Sequence, residues 1–446
     1  MEEYMQRLVS KDLLEWKLSK SRKPLILKGA RQVGKTYSLR EFGKKNFAFV
    51  HSFNFESTPD LGRVFERDLV PKRILEELSL ISGKKIDPNE DLIIFDEIQS
   101  CPKALTSLKY FSEEMPEQAV CSAGSLLGLQ LNPGSFPVGK VDFIDLHPCS
   151  FYEFLGALGE NKLQEILGQW PLNIEITQFI HEKFWHFLKL YFICGGLPEI
   201  VEKFSKTLSE SLITAFKEAR LIQNTLINSY LADVAKHSGK LNSMHIDRTW
   251  RSVPLQLSLS HDQTSEKFKF RDVVPGVQGY SRLSGPIDWL LKAGLIIRIP
   301  INFKAQEPLL AYTKENLFKL LMFDIGILGA LANLEPQTLY AYNYGTYKGY
   351  FAENYVAQEL AASGHNRIYA WREGSAEIEF ILQQNNSIIP IEVKSGNRTK
   401  SQSLRVYSQK YKPEKKIILS GKMPFMDTAT KTEYWPLYMA SNATKN

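Results

Sequence analysis

The stretch Leu25-Ile26-Leu27-Lys28-Gly29-Ala30-Arg31-Gln32-Val33-Gly34-Lys35-Thr36 decides how the first third of the chain folds. Its three leading apolar residues read as a short buried strand, and Gly29 to Thr36 follows the spacing G-x-x-x-x-G-K-[ST]. Glycines at the two ends let the backbone turn so that successive amides face phosphate oxygens. The helical pattern that begins at Lys35 adds the favourable field of a helix N-terminus. In such a cradle Gly29, Ala30, Arg31, Gln32, Val33 and Gly34 supply backbone. Lys35 supplies a charge for the β- and γ-phosphates, and Thr36 a hydroxyl for magnesium. ATP and Mg2+ are the expected ligands.

Working outward, Leu92-Ile93-Ile94-Phe95 is a second buried-strand pattern that ends in Asp96-Glu97. Ligands of open α/β sheets bind at the carboxyl ends of the strands, so Asp96 is expected to hold the magnesium ion. Glu97 is expected to act as general base towards the attacking water. A third strand, Ala119 to Ser122, runs into Ala123-Gly124-Ser125. Ser125, with Ser122 as second choice, is a candidate for contacting the γ-phosphate or the water; a small turn residue without catalytic role fits the position equally. Further strands are expected at Phe47 to Phe53 and Val141 to Leu146. Strands alternating with helical patterns imply a parallel sheet covered by helices.

The 446 residues exceed one ordinary core and imply two to four domains. With 43% hydrophobic and 23% charged residues the chain falls in the range of soluble globular proteins. The apolar run from Phe318 to Ala332 is broken by Lys319 and Asp324, which argues against a membrane span. The chain opens Met1-Glu2-Glu3 with no apolar run behind a basic start, so no secretory signal is expected. Four cysteines without a C-x-x-C pair argue against zinc and disulfides and for a reducing cytoplasm.

Residues 1–150 are expected to form the nucleotide domain, 151–335 a helical and winged-helix-like region, and 336–446 a further α/β module. Helices are expected over Phe179 to Phe192 and Leu208 to Val234, on either side of the turn Gly195-Gly196-Leu197-Pro198-Glu199. Gly294 reads as a helix C-cap before a strand at Leu295 to Ile299. Helices followed by a β-wing suit either DNA binding or plain packing, and Arg248, Arg251, Lys267 and Lys269 are the candidate phosphate contacts. From Glu392 to Lys422 nine Lys/Arg stand against two Glu, a net of +7. Two readings fit that excess: a nucleic-acid footprint, or a solvated lysine-rich face.

In the C-terminal module Glu377-Ile378-Glu379-Phe380-Ile381-Leu382 and Ile388-Ile389-Pro390-Ile391-Glu392-Val393-Lys394 flank a polar Asn385-Asn386 turn, a hairpin signal. With a two-residue turn, partner numbers sum to 385 + 386 = 771, so Glu379 faces Glu392. Their Cβ atoms then lie roughly 5 Å apart. Lys394 shares the face of Glu392 because strand side chains alternate. Two carboxylates, a lysine and a divalent ion would make a phosphodiester-cleaving set; a structural hairpin neutralised by Lys394 fits the same residues.

The segments G-A-R-Q-V-G-K-T, L-I-I-F-D-E-I-Q, S-A-G-S-L-L-G and S-F-P-V-G-K-V resemble prokaryotic AAA-type ATPases of a fused family with a conserved C-terminal module of unknown function. His147 to Phe154 and Gly195-Gly196-Leu197-Pro198-Glu199 resemble further family segments, with Cys149 where Leu is expected. The resemblance covers nearly the whole chain. It implies an ASCE sheet, with the P-loop strand beside the sensor strand. It also implies that Lys140, where related proteins carry Arg or Lys, acts as a basic finger towards a neighbouring subunit. The C-terminal pattern resembles the restriction-endonuclease-like core, with Glu353 as the helical acid upstream. Glu379 stands where that core usually has Asp, and Pro390 falls inside the second strand. These resemblances lead to a magnesium-dependent ATPase coupled to DNA through winged-helix and nuclease-like modules. The alternative is an ATP-gated switch that binds DNA or a protein partner, turns over slowly and carries an inactive nuclease-like module; a protein partner or a homo-oligomer is the expected assembly.

Overall fold

Residues 6–125, 136–169, 176–259, 267–341, 348–365, 367–384, 386–394 and 401–442 are described by the structure, a computed structural model. The chain divides into two units: residues 6–147 with 292–294, and residues 148–291 with 295 onward.

In the first unit the elements run α1 (Val9–Leu18), β1 (Leu25–Gly29), α2 (Lys35–Asn46), β2 (Val50–Asn54), α3 (Pro71–Ser82), β3 (Leu92–Asp96), α4 (Pro102–Glu114), β4 (Ala119–Ser125) and β5 (Asp142–Asp145). The strand order is β2-β3-β4-β1-β5, and every pairing is parallel. β4 therefore separates the P-loop strand β1 from β3, as the ASCE layout requires. Leu25, Ile26 and Leu27 in β1 and Leu92 to Phe95 in β3 are all fully buried, because helices cover both faces of a parallel sheet. β2 starts three residues later than the apolar run suggests: the Phe47 amide instead closes α2 by donating to the Gly43 carbonyl (2.9 Å).

The second unit begins with α5 (Phe151–Ala157), α6 (Asn161–Gln169), α7 (Gln178–Cys194), α8 (Pro198–Leu208), α9 (Leu212–Ser238), α10 (Lys240–Ser258) and α11 (Tyr280–Lys292). The helix expected from Leu208 to Val234 is in fact the end of α8 followed by α9. The chain breaks at Ser211, whose side chain caps α9 by accepting the Thr214 amide, a role short hydroxyl residues prefer to a helix interior. There follow β6 (Ile296–Asn302), β7 (Thr313–Met322), α12 (Ile325–Leu331), α13 (Pro336–Ala341), α14 (Lys348–Ala362), β8 (Ile368–Glu373), β9 (Ala376–Gln384), β10 (Ser387–Val393), α15 (Gln402–Tyr411), β11 (Lys416–Ser420), β12 (Phe425–Asp427) and β13 (Thr432–Pro436).

These strands form one eight-stranded sheet of order β12-β13-β11-β10-β9-β8-β6-β7. β6 and β7 form an antiparallel hairpin. β6 also pairs in parallel with β8 through Ile301–Ala370 and Asn302–Trp371. The hairpin is thus the edge of the C-terminal sheet, which runs across the expected boundary at 335/336. Pro390 is accommodated inside β10 opposite Ile381.

The Gly195-Gly196 turn is a packing device. A Cβ on Gly196 would lie 2.2 Å from the Cys149 carbonyl oxygen, so only glycine allows the approach. Cys149, fully buried where Leu was expected, donates its amide to the Gly196 carbonyl (2.6 Å). Asp324 accepts from the Gly196 amide (2.7 Å) and the Ile327 amide (3.0 Å). Lys319 and Asp324, which break the apolar run, are both fully buried. Among the described residues no helix is long and apolar enough to cross a membrane. All four cysteines are buried free thiols.

Candidate functional site

The first site is built at the carboxyl ends of β1 and β3. Gln32 (φ 65°) and Gly34 (φ 89°) adopt left-handed backbone on the way into α2. A Cβ on Gly29 would fall 2.2 Å from the Leu146 carbonyl oxygen, where the chain leaves β5. Lys35 folds back over the loop, and its ammonium donates to the carbonyls of Gly29 (3.1 Å) and Ala30 (2.8 Å). Burial is the main cause that lowers the Lys35 pKa to about 8, with Glu97 and Asp96 opposing it and Arg31 adding to it. The partners of this ammonium are uncharged, and it is short of negative charge.

The Thr36 hydroxyl donates to Asp96 Oδ1 (2.8 Å), and Asn54 Nδ2 donates to Asp96 Oδ2 (2.9 Å). Glu97 follows in left-handed backbone (φ 50°), an uncommon conformation for such a residue. The Gln99 amide donates to its carboxylate. Asn54 and Gln99 were not singled out in the sequence. Asn54 ends β2 directly beside Asp96, and a polar residue closing an apolar strand was the available signal. Arg7 was also missed. Its buried guanidinium donates to the carbonyls of Val33 (2.8 Å) and His147 (2.7 Å), tethering the P-loop from outside.

Ser125 pairs with Gly29 in the β4–β1 register, so its backbone stands beside the start of the P-loop. Ser122 pairs with Ile26, three residues deeper in the sheet. Lys140 is not brought to the P-loop. It precedes β5, whose Asp142 pairs with Leu25 at the far end of β1, and its ammonium meets Glu113 (3.0 Å).

The second cluster lies in the C-terminal sheet. The observed pairs Ser387–Gln384 to Ile391–Phe380 sum to 771, the register that directs Glu392 towards Glu379. Glu379, Glu392 and Glu353 of α14 are all buried. Lys394 meets Glu392 Oε1 at 2.6 Å. Ser401 donates to the same oxygen at 2.8 Å, and the Val393 amide donates to Glu379 Oε2 at 3.0 Å. Burial, then the charge of Glu392, raises the Glu379 pKa well above the carboxylate range. Burial would lower the pKa of Lys394, but Glu379 and Glu392 outweigh it and raise it.

Two members were missed. Lys319 of β7, fully buried, pairs with Glu353 Oε1 (3.0 Å) and Glu377 Oε1 (2.7 Å). Its only trace in the sequence is the interruption of an apolar run. Glu377 shares the face of Glu379 by strand alternation. Among the described residues no group of three or more His, Cys, Asp or Glu is arranged to hold a metal ion. Glu379 Oε1 and Glu392 Oε2 are buried without a hydrogen-bond partner, yet the acids Glu353, Glu377 and Glu392 are held by lysines. The residues present do not fit a divalent metal centre.

The basic surface is thinner than the composition suggests. Lys394, Lys410 and Lys415 pair with Glu392, Glu373 and Glu433, and Arg398 and Lys400 lie outside the described residues. Arg248, Arg251, Lys267 and Lys269 are exposed, with Arg251 paired to Asp247 (2.7 Å).

Residues 21–155 match the family model of an AAA domain. The N-terminal unit is an AAA-type P-loop fold. Residues 348–439 match a domain of unknown function (DUF4143), and residues 186–338 match another domain of unknown function (DUF8612). No curated protein is significantly similar to the chain in sequence. Among solved structures, a Walker-type ATPase of Pyrococcus abyssi is similar at 16% identity, over 74% of this chain and 96% of that one, with a TM-score of 0.46. The Thermotoga maritima RuvB Holliday junction branch migration motor is similar at 13% identity, over 65% and 89%, with a TM-score of 0.32. The Aeropyrum pernix Orc1 protein, solved in complex with DNA, is similar at 12% identity, over 73% and 90%, with a TM-score of 0.25.

Proposed function

We propose that this protein is a magnesium-dependent ATPase that works as a nucleotide-gated switch on DNA, with a nuclease-like C-terminal module that does not cut. The observation that carries the ATPase reading is Lys35: a buried ammonium resting on two neutral carbonyls, beside the Thr36–Asp96 hydrogen bond. A nucleotide phosphate would draw Lys35 off those carbonyls and give it the negative charge it lacks.

Thr36 and Asp96 offer a hydroxyl and a carboxylate 2.8 Å apart, the hard oxygen donors magnesium prefers, and these two residues would hold it. When bound, magnesium supplies charge neutralisation across the β- and γ-phosphates. Asn54 holds Asp96 in place through its second oxygen. Glu97 accepts the proton of the attacking water, and Gln99 orients its carboxylate. Arg7 fixes the P-loop crest at Val33.

The non-cutting reading rests on the C-terminal cluster, in which lysines hold Glu353, Glu377 and Glu392. Exposed Arg248, Arg251, Lys267 and Lys269 are the phosphate contacts proposed for DNA. Hydrolysis of ATP measured with and without DNA is the direct test. A DNA-dependent change in turnover supports the reading, provided that DNA affinity falls steeply with salt as released counterions require. Turnover indifferent to DNA, with binding that barely changes between low and moderate salt, would replace DNA by a protein partner.

A further inference from the structure

The non-cutting reading leaves Lys319 to be explained. A lysine with no exposed surface sits on β7, in the segment that matches residues 186–338, and reaches acids in the segment that matches 348–439. Glu353 arrives from α14 and Glu377 from β9, and both put an Oε1 within 3.0 Å of the same ammonium. Burying a lone ammonium costs several kcal/mol, and here two carboxylates offset that cost. Burial alone would lower its pKa, but Glu353, Glu377 and Glu379 raise it above the ordinary lysine value. Two carboxylates converging on one cation is the charge arrangement a divalent ion supplies in a phosphodiester-cutting centre.

We propose that Lys319 is the resident cation of this cluster, its ammonium bridging Glu353 and Glu377 where a divalent metal would otherwise be needed, so that the cluster acquires a metal requirement only when Lys319 is removed. The proposal rests on the reading of the module as one that does not cut. It also makes the C-terminal module depend on a residue outside its own segment, so that the β6–β7 edge and the module keep their charge balance only together.

The test is run on the full chain in a Thr36→Ala/Asp96→Asn background without nucleotide, so that the P-loop keeps neither of the oxygen donors proposed for a metal. Thermal melting and Mn2+ binding by electron paramagnetic resonance are measured for the parent, for Lys319→Met and for Lys319→Met/Glu353→Gln. The parent is expected to bind no Mn2+ and to melt at the same temperature with and without it. Lys319→Met should melt lower and regain a few degrees when Mn2+ is added, since a ligand of the folded state stabilises it by mass action. The double variant, with one acid fewer, should melt above Lys319→Met and lose most of the response to Mn2+. If Lys319→Met does not fold, the parent and Glu353→Gln decide: Mn2+ bound by the parent and lost in Glu353→Gln overturns the proposal. A folded Lys319→Met that is indifferent to Mn2+ also overturns it. DNA cleavage by the parent, abolished in Glu392→Gln, would instead sink the non-cutting reading itself, and the two failures are read from different assays.

Discussion

Two buried lysines mark the two sites, and they face opposite electrostatic surroundings. Lys35 rests on the carbonyls of Gly29 and Ala30, and its pKa is pulled down to about 8. Lys319 is more deeply buried, yet Glu353 and Glu377 hold it and its pKa is raised. A buried cation short of negative charge is a site prepared for an anion. A buried cation that already holds two carboxylates is closed, and it contributes to the fold rather than to binding. Burial is common to both, so the partners decide which role a lysine plays.

Lys35→Ala should leave no measurable affinity for labelled ATP, because the phosphates lose their nearest charge; unchanged affinity would remove the P-loop from function. Glu97→Gln should keep ATP binding and lower turnover by about 100- to 10,000-fold, the range expected for removal of a general base. Full turnover in that variant would move the base elsewhere.

Asp324 extends the contrast to a buried acid with no cationic partner among its hydrogen bonds. Burial raises its pKa from 3.8 to about 6, against the amides of Gly196, Ile327 and Gly326. The folded state therefore binds a proton more tightly than the unfolded state, and stability falls as pH rises from about 4 to about 6. A shift of this size amounts to about 3 kcal/mol. Unfolding free energies of the parent and Asp324→Asn, taken from denaturant titrations across that window, should converge or cross by this amount; parallel curves would show that Asp324 stays ionised throughout.

Lys35 makes a pH prediction of smaller size. Just below pH 8, and above the range where the terminal phosphate of ATP itself titrates, the free protein already carries the charge and ATP affinity should be flat. Above pH 8 the proton must be taken up on binding, and affinity should weaken by about tenfold per pH unit. Titration calorimetry in two buffers of different ionisation enthalpy would detect the uptake. Affinity that stays flat to pH 10 would mean that the Lys35 pKa is not depressed.

The P-loop fold was legible in the sequence because each part is local: eight consecutive residues from Gly29 to Thr36, and a strand ending in Asp96-Glu97. The hairpin register of β9 and β10 was legible for the same reason, since a two-residue turn fixes it. Lys319 was not, because its partners Glu353 and Glu377 lie 353 − 319 = 34 and 377 − 319 = 58 residues away, and only the tertiary fold joins them. The membership of β6 in the C-terminal sheet was hidden likewise, because its pairing with β8 follows a long connection. Asn54 and Arg7 act through single hydrogen bonds to Asp96 and Val33, which no spacing rule encodes.

Lys140 carries the smallest expected effect, and it tests whether a cation already paired can still belong to the nucleotide site. β1 has five residues, which span roughly 15 Å at the rise of a strand. Lys140 stands before the β5 residue that pairs with Leu25, and the P-loop begins beyond Gly29 at the other end. A lysine side chain extends less than half that distance, so Lys140 cannot serve the nucleotide of its own chain. Its ammonium is partly exposed and paired with Glu113 at 3.0 Å, and a pair of that kind contributes under about 1 kcal/mol. Lys140→Ala should therefore leave the melting temperature and the ATP affinity almost unchanged. Turnover is the informative measurement, taken over a range of protein concentrations. Equal turnover for parent and variant at every concentration would leave Lys140 a surface pair. A loss that appears only where the parent's turnover rises with concentration would make it a finger acting on a second copy. In that case the Glu113 pair must open on assembly, and Glu113→Gln, which frees Lys140, should lower the concentration at which turnover rises.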